Sequence, residues 1–271
     1  MKLVAISAGR KNGNNEILLK EAMMAAGSVT VVEPCLIRLA DLKLNPCTGC
    51  EGCMKRRLSN EKPECVQNND DYRWLVDQIK DADALLLGAP IYDFIPSGNF
   101  IVLLNRGLGF GEPSTKTKVC SSISLGGSDW IDFTEPIMDL ALRNFAEDAS
   151  IIDKMVVGDY PAYQMVVLDD AILEKARNVG KNLANAFCNN KVMYKGEYGI
   201  CPVCHNNLLK PVTKNQIQCP FCGAEGTAEI IDGDLVIDWN SNIFEKNKFS
   251  ISGRSQHRID IKTRHQWTAA H

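Results

Sequence analysis

No run in this sequence approaches the ~20 consecutive apolar residues that a membrane-spanning helix requires. Charge of neither sign dominates, with 30 Lys and Arg against 33 Asp and Glu, a net charge of −3. That balance gives no electrostatic case for nucleic acid or an anionic membrane as partner. The opening apolar run, residues 2–6, is too short for a signal peptide, and no cleavage pattern follows it. A cytoplasmic protein is expected. Histidine is scarce: there are four, none of them in the loops singled out below, and no catalytic acid, base or nucleophile stands out. Neither GxxxxGK[ST] nor GxGxxG occurs, which argues against a nucleoside triphosphate or a Rossmann-type dinucleotide.

Cysteine, by contrast, is plentiful, with eleven in 271 residues. In a reducing compartment that number points to metals or redox chemistry rather than a disulfide framework. Cys35, Cys120 and Cys188 stand alone among apolar neighbours and read as small core residues. The other eight form two groups. Cys201, Cys204, Cys219 and Cys222 follow C-x2-C-x14-C-x2-C, close to the spacing of a four-cysteine zinc ribbon. Zinc is expected there, with rubredoxin-type iron as the alternative, because Cys219-Pro-Phe-Cys222-Gly223 resembles a rubredoxin knuckle. The first knuckle lacks the matching glycine and has His205 instead. Cys47, Cys50 and Cys53 form a compact run of the type that wraps a 4Fe–4S cluster, with Cys65 the natural fourth ligand. Lys55, Arg56 and Arg57 would offset the cluster's charge. The alternative is a cysteine-rich loop without a cluster.

Residues 1–190 alternate strand and helix signals. Strands are expected at 2–6, 29–32, 84–88, 118–124 and 150–157, and helices at 16–25, 70–79 and 170–187. The continuous apolar run at 84–88 suits a strand buried on both faces. Such alternation predicts a three-layer α/β sandwich around a parallel sheet. Residues 189–198 read as a linker, 199–240 as a small metal-ribbon module with two short strands around an Asp-Gly turn, and 241–271 as a basic C-terminal arm.

Ligands of a doubly wound sheet bind beyond the carboxyl ends of its strands, and three loops there have suitable chemistry. The first, Ser7 to Asn15, carries Arg10, Asn12 and Asn14 and can turn backbone N–H groups toward a phosphate at a helix N-terminus. The second, Gly88 to Gly98, is stiffened by Pro90 and Pro96 and offers flat apolar surface at Tyr92 and Phe94, beside Ile91 and Asp93. The third, Ser124 to Ser128, has a Gly126–Gly127 step that a planar ligand can approach closely.

Taken in order, these loops resemble the NADPH-dependent FMN reductase and iron–sulfur flavoprotein families, both flavodoxin-like. The resemblance covers residues 1–190 and rests on Arg10, Gly13, Asn14, Pro90, Tyr92, Ser97, Gly98 and Arg106. Ala8, Asn15 and Asn105 depart from the pattern, standing where the family has Ser, Thr and Asp, and Asp93 and Phe94 stand where it often has an aromatic residue and a small one. The resemblance implies FMN, with its phosphate on the first loop and its ring against the second and third. It implies Ser7, Arg10, Asn12, Asn14, Asn15, Pro90, Ile91, Tyr92, Asp93, Phe94, Ser124, Gly126, Gly127 and Ser128 as FMN-binding positions. Asp93 near a flavin would disfavour its anionic reduced form.

A flavin-dependent oxidoreductase is therefore expected, passing electrons between FMN, a 4Fe–4S cluster and a redox partner protein or small-molecule acceptor. A cluster-free NAD(P)H:FMN or quinone reductase is the alternative. A regulatory protein binding a partner or nucleic acid through its ribbon is a third reading; in residues 201–222 only Lys210 and Lys214 favour it. By family resemblance the chain is expected to form a homo-oligomer.

Overall fold

The structure is a computed structural model that describes residues 1–110, 116, 119–145, 150–190, 193–197 and 199–270. It divides into two units, Met1–Gly196 and Glu197–His271.

The first unit is built on five parallel strands, β1 (Lys2–Ser7), β2 (Glu33–Arg38), β3 (Ala84–Tyr92), β5 (Val119–Gly126) and β6 (Ser150–Val157). They lie in the order β2-β1-β3-β5-β6, and a short β4 (Ile95–Pro96) folds back antiparallel onto β3. Counting the parallel strands alone, this is the 2-1-3-4-5 order of flavodoxin-like folds. Alternation along each strand sorts the core into two layers. Leu3, Ala5, Ala84 and Leu86 pack on α1 (Asn14–Gly27) and α6 (Asp170–Asn189). Val4, Ile6, Leu85, Leu87 and Ala89 pack instead on α3 (Tyr72–Lys80), α4 (Gly98–Asn105) and α5 (Thr134–Phe145). A further short helix, α2 (Gly52–Leu58), has no buried residue.

Helices α1 and α6 touch backbone to backbone at Gly180, where a Cβ would sit 1.9 Å from the Ala22 carbonyl oxygen. Gly180→Ala is expected to cost about 1–3 kcal/mol of stability through overpacking. Thermal unfolding would show this as a lowered midpoint.

Three expectations shift. The strand expected at 29–32 is the end of the α1 turn, where the Val29 and Thr30 N–H groups bond the Ala26 carbonyl. The paired strand is β2, and its Pro34 is tolerated because β2 is a sheet edge. Helix α3 begins at Tyr72 rather than residue 70, because Asp70 turns inward to pair with Arg106. Of the three solitary cysteines, Cys120 is buried, Cys35 half-buried and Cys188 exposed, so Cys188 is not a core residue.

The second unit holds an antiparallel sheet, β7 (Lys210–Pro211), β8 (Gln216–Gln218), β9 (Glu225–Ile231) and β10 (Asp234–Trp239), followed by α7 (Ile251–Ala270). Asp232 and Gly233 form the expected two-residue turn, both at positive φ (53° and 92°). Part of the basic C-terminal segment packs inward. Ile243 and Phe249 pack into the module core beside the four cysteines. Buried Asn247 organises the turn, donating to the Ile243 and Phe244 carbonyls and accepting from the N–H groups of Phe249 and Ser250. Among the described residues, no helix is long and apolar enough to cross a membrane.

Candidate active site and metal centre

A cavity of about 230 Å³ opens at the carboxyl end of the parallel sheet. Its walls come from the turn after β1 (Gly9, Arg10, Gly13, Asn14, Asn15), the end of β3 (Pro90, Ile91, Tyr92) and the end of β5 (Leu125, Gly126, Gly127). A fourth wall is the loop after β6, with Tyr160, Pro161 and Tyr163.

These walls are tied to one another. Asn14 Nδ2 donates to the Tyr160 and Ala162 carbonyls (3.2 and 2.7 Å), and Asn14 Oδ1 accepts from the Val166 N–H at 3.3 Å. Tyr163 Oη donates to the Lys11 carbonyl, Gln164 Nε2 to the Asn12 carbonyl and the Tyr160 N–H to the Gly126 carbonyl. The Ala8 N–H bonds the Gly88 carbonyl, and Ser97 Oγ donates to the Ala8 carbonyl. Tyr160 Oη donates to Asp169, which also caps α6 by accepting from the Ala171 and Ile172 N–H groups. Burial and that carboxylate push the Tyr160 phenol up to about 12, so it stays neutral.

Glu16, buried in the first turn of α1, pins the same turn. It accepts from Arg38 Nε at 2.6 Å and pairs with Lys20 at 2.7 Å. Burial works against its ionisation, but the Arg38, Lys20 and Asn12 donors outweigh it and hold the carboxyl at about 2, below its usual 4.5. A depressed carboxyl stabilises the fold above the unfolded-state value and loses that contribution as pH falls. Acid titration is expected to show a loss of stability between pH 4.5 and 2 that Glu16→Gln removes, at the cost of lower stability at pH 7.

The cavity suits a phosphate-bearing planar ligand. Gly13 is the N-cap of α1 and no side chain caps that terminus, so first-turn N–H groups are available to an anion. Arg10 stands over the Tyr163 ring, 5.4 Å from its centroid, and adds positive charge. Across the cavity, the Gly127 backbone lies against Pro161, whose Cα and Cβ would be 3.4 and 3.6 Å from a Cβ at that position, so a bulkier residue would crowd this wall. The chemistry fits FMN: N–H groups and Arg10 for the phosphate, and the Gly126–Gly127 backbone with Tyr92 for the ring.

In the second unit the sulfurs of Cys201, Cys204, Cys219 and Cys222 all lie within 4.8 Å of one another and are buried, a group that could hold a metal ion. Sulfur separations of 3.5 Å (Cys201–Cys222) and 3.6 Å (Cys204–Cys219) approach the ~3.8 Å edge of a tetrahedron with metal–sulfur bonds of about 2.3 Å. The two knuckles repeat each other. The His205 N–H bonds the Cys201 carbonyl (2.8 Å) and the Gly223 N–H the Cys219 carbonyl (2.9 Å). His205 adopts φ 56°, the left-handed conformation of its counterpart Gly223 (φ 81°), so the missing glycine does not alter the knuckle. Contacts among the thiols pull Cys201 and Cys219 below the ordinary thiol value and push Cys204 and Cys222 above it.

The other cysteine group is arranged differently. Cys47 and Cys50 are exposed, Cys53 and Cys65 half-buried, and among the described residues no three of these sulfurs gather within 4.8 Å. In this conformation the loop does not form a four-thiolate cradle. Cys65 faces the core instead, where its Sγ accepts from Arg106 Nη2 at 3.1 Å.

Residues 1–130 match the model of the NADPH-dependent FMN reductase family. The match takes in the turns after β1, β3 and β5 that line the cavity. Its relatives include a flavone synthase from Aspergillus candidus, 26% identical over 97% of this chain and 89% of that protein. They also include an iron–sulfur flavoprotein from Methanocaldococcus jannaschii, 27% identical over 68% of this chain and 96% of that protein. A solved flavone reductase covers 100% of this chain and 92% of its own, at 25% identity and a TM-score of 0.79. Together these likenesses show a flavin-dependent oxidoreductase.

Of the positions expected to bind FMN, Arg10, Asn14, Asn15, Pro90, Ile91, Tyr92, Gly126 and Gly127 line the cavity; Ser7, Asn12, Asp93, Phe94, Ser124 and Ser128 do not. Ser7 and Ser124 are fully buried at the strand ends, their hydroxyls without a hydrogen-bond partner among the described residues. Asn12 Oδ1 accepts from Lys20 Nζ, and Ser128 Oγ accepts from the Trp130 N–H. Asn15 donates to the Ile123 carbonyl beneath the pocket, and the Asn14 amide is spent on the β6–α6 loop. Sequence reasoning missed Tyr160, Pro161 and Tyr163, although the strand-end rule that selected three loops applies equally to the loop after Val157.

Asn14→Ala cuts the ties between two walls at once. It is expected to raise the FMN dissociation constant about tenfold or more, roughly 1.4 kcal/mol. Fluorescence titration of apoprotein with FMN would read this.

Proposed function

We propose that this chain is an FMN-dependent oxidoreductase that moves a hydride between FMN at the sheet end and an uncharged aromatic small molecule of the flavone class. Reduced nicotinamide dinucleotide is the electron source. In the reducing direction the balance is NAD(P)H, a proton and a flavone giving NAD(P)⁺ and the flavanone, with the C2–C3 double bond of the flavone saturated. Bound FMN supplies the ability to accept and return a hydride. The chain holds the phosphate at the uncapped start of α1 and presents the Gly126–Gly127 backbone and Tyr92 to the ring. The observation that carries this reading is likeness over the whole chain, second unit included, to a flavone synthase and a flavone reductase. Anaerobic incubation of FMN-loaded protein with NAD(P)H and 5,7-dihydroxyflavone is expected to yield a product heavier by two hydrogens. An unchanged flavone, with flavanone equally untouched by the oxidised enzyme, would contradict the proposal.

Electron transfer through a 4Fe–4S cluster on Cys47, Cys50, Cys53 and Cys65 is a second reading, favoured by the cysteine spacing and the iron–sulfur flavoprotein relative. It requires the loop to rearrange so that its sulfurs converge. Anaerobically purified protein would then contain about four iron and four labile sulfide per chain. Absence of both after reconstitution with iron and sulfide would exclude it. For the four-cysteine site of the second unit we propose zinc, on geometry and ligand type.

A further inference from the structure

Among the described residues are two two-residue hairpins with positive φ at both central positions, and their sequences differ tellingly. In the second unit the turn is Asp232–Gly233; between β3 and β4 it is Asp93–Phe94. Both require positive φ at both central positions, and Asp93 (48°) and Phe94 (70°) adopt it. Glycine meets that demand without steric cost, whereas a bulky residue in this region is strained. Strain of this kind collects at functional sites, because the fold alone would be better served by glycine.

What the chain gains is an aromatic shelf. The Phe94 ring stacks on Trp130, centroids 5.2 Å apart and planes within 7°, and Phe133 leans on it at 5.7 Å. Thr134 Oγ1 donates to the Phe94 carbonyl and fixes the turn against α5. Yet the shelf stays open to solvent, with Trp130 56% and Phe133 50% exposed, beside Tyr92 at 57%. It adjoins the cavity through both strands that bear it. Phe94 follows the lining residue Tyr92 by two positions, and Trp130 follows Gly127 by three. Exposed carboxylates border it at Asp93, Asp129 and Asp132, while the cavity's cation, Arg10, comes from the β1 turn and stands over Tyr163. Rings edged with carboxylates favour a neutral planar ring system, whose hydroxyls can donate to them, over one that carries an anionic group.

We propose that Phe94, Trp130 and Phe133 are the specificity-determining surface of the enzyme, gripping an uncharged, planar polycyclic phenol beside the flavin. This deepens the functional reading above and rests on its placement of FMN.

The probe is 5,7-dihydroxyflavone, and its binding to FMN-loaded protein would be followed by calorimetry. Phe94→Gly and Trp130→Ala are each expected to weaken it at least tenfold, and a sulfated form of the same flavone is expected to bind the unaltered protein more weakly than the parent. Phe94→Gly is also expected to keep or raise the melting temperature, since it relieves the turn; a ring that was only structural would lower it. Unchanged affinity in both variants overturns the shelf, even if the unaltered enzyme turns the flavone over. Shelf-dependent binding without turnover supports the shelf and removes the flavone reaction instead. No binding to the unaltered protein, or variants that dissociate a dimer while leaving flavone affinity intact, overturns the proposal.

Discussion

Substituting Cys219 by serine is expected to abolish metal binding and unfold the second unit. Among the described residues, the core around the four cysteines contains only Ala224 and Ile243 as further buried apolar residues, edged by Val203, Phe221, Trp239 and Phe249. So small a core cannot offset chain entropy unaided. A structural zinc bound by four thiolates supplies on the order of 10–16 kcal/mol to folding. Loss of one thiolate opens the tetrahedron, and the Lys248 N–H bond to the Cys222 carbonyl, which draws residues 243–249 onto the metal loop, loses its anchor. Limited proteolysis should then cut within residues 197–250 of the variant, while the metal-bound protein resists. Residues 1–196 carry their own two-layer core and are expected to remain folded. Removing the metal from the unaltered protein with a strong chelator should reproduce the same cleavage. A variant that stays protease-resistant and metal-free would show that the module does not depend on a metal.

The second large effect is expected at Arg106. Its guanidinium is buried, stacks on Tyr72 at 3.9 Å, pairs with Asp70 and donates to the Asn45 carbonyl and Cys65 Sγ. Tyr72 returns a hydrogen bond from its hydroxyl to the Arg106 carbonyl at 2.6 Å. One side chain therefore ties Asn45, Cys65, Gln67 and Asp70, at both ends of the cysteine-bearing excursion, to the end of α4. Arg106→Met leaves Asp70 buried without its cation, a loss of about 3–5 kcal/mol. Urea denaturation should show the midpoint falling accordingly, and Arg106→Met/Asp70→Leu should recover part of it because the orphaned charge goes too. A loss in the single variant of under ~1 kcal/mol would mean that solvent reaches the pair.

Much of the architecture was legible because local and global signals agree. The strand at Ser150–Val157 falls where its β-branched pattern put it, and Ala84 to Gly88 is continuous apolar sequence because β3 is buried on both faces. The knuckles were legible because spacing alone directs thiolates to one point. Side-chain direction was not. Asn14 and Asn15 look alike in a polar loop, yet one laces the outer walls and the other sits under β5, a choice made by helix phase and distant carbonyls. Nothing local to Cys65 announces Arg106, 41 residues on, as its partner. The strained Asp93–Phe94 turn was visible only as a departure from a family pattern; its geometry needed the β3–β4 register.

The proposed hydride exchange between bound FMN and an aromatic acceptor has a spectral signature. The most direct test is the visible spectrum of FMN-loaded protein under anaerobic conditions. Adding NAD(P)H should bleach the flavin band, and subsequent addition of 5,7-dihydroxyflavone should restore it. A flavin that fails to bind, or that bleaches and is restored only by oxygen, would contradict the account.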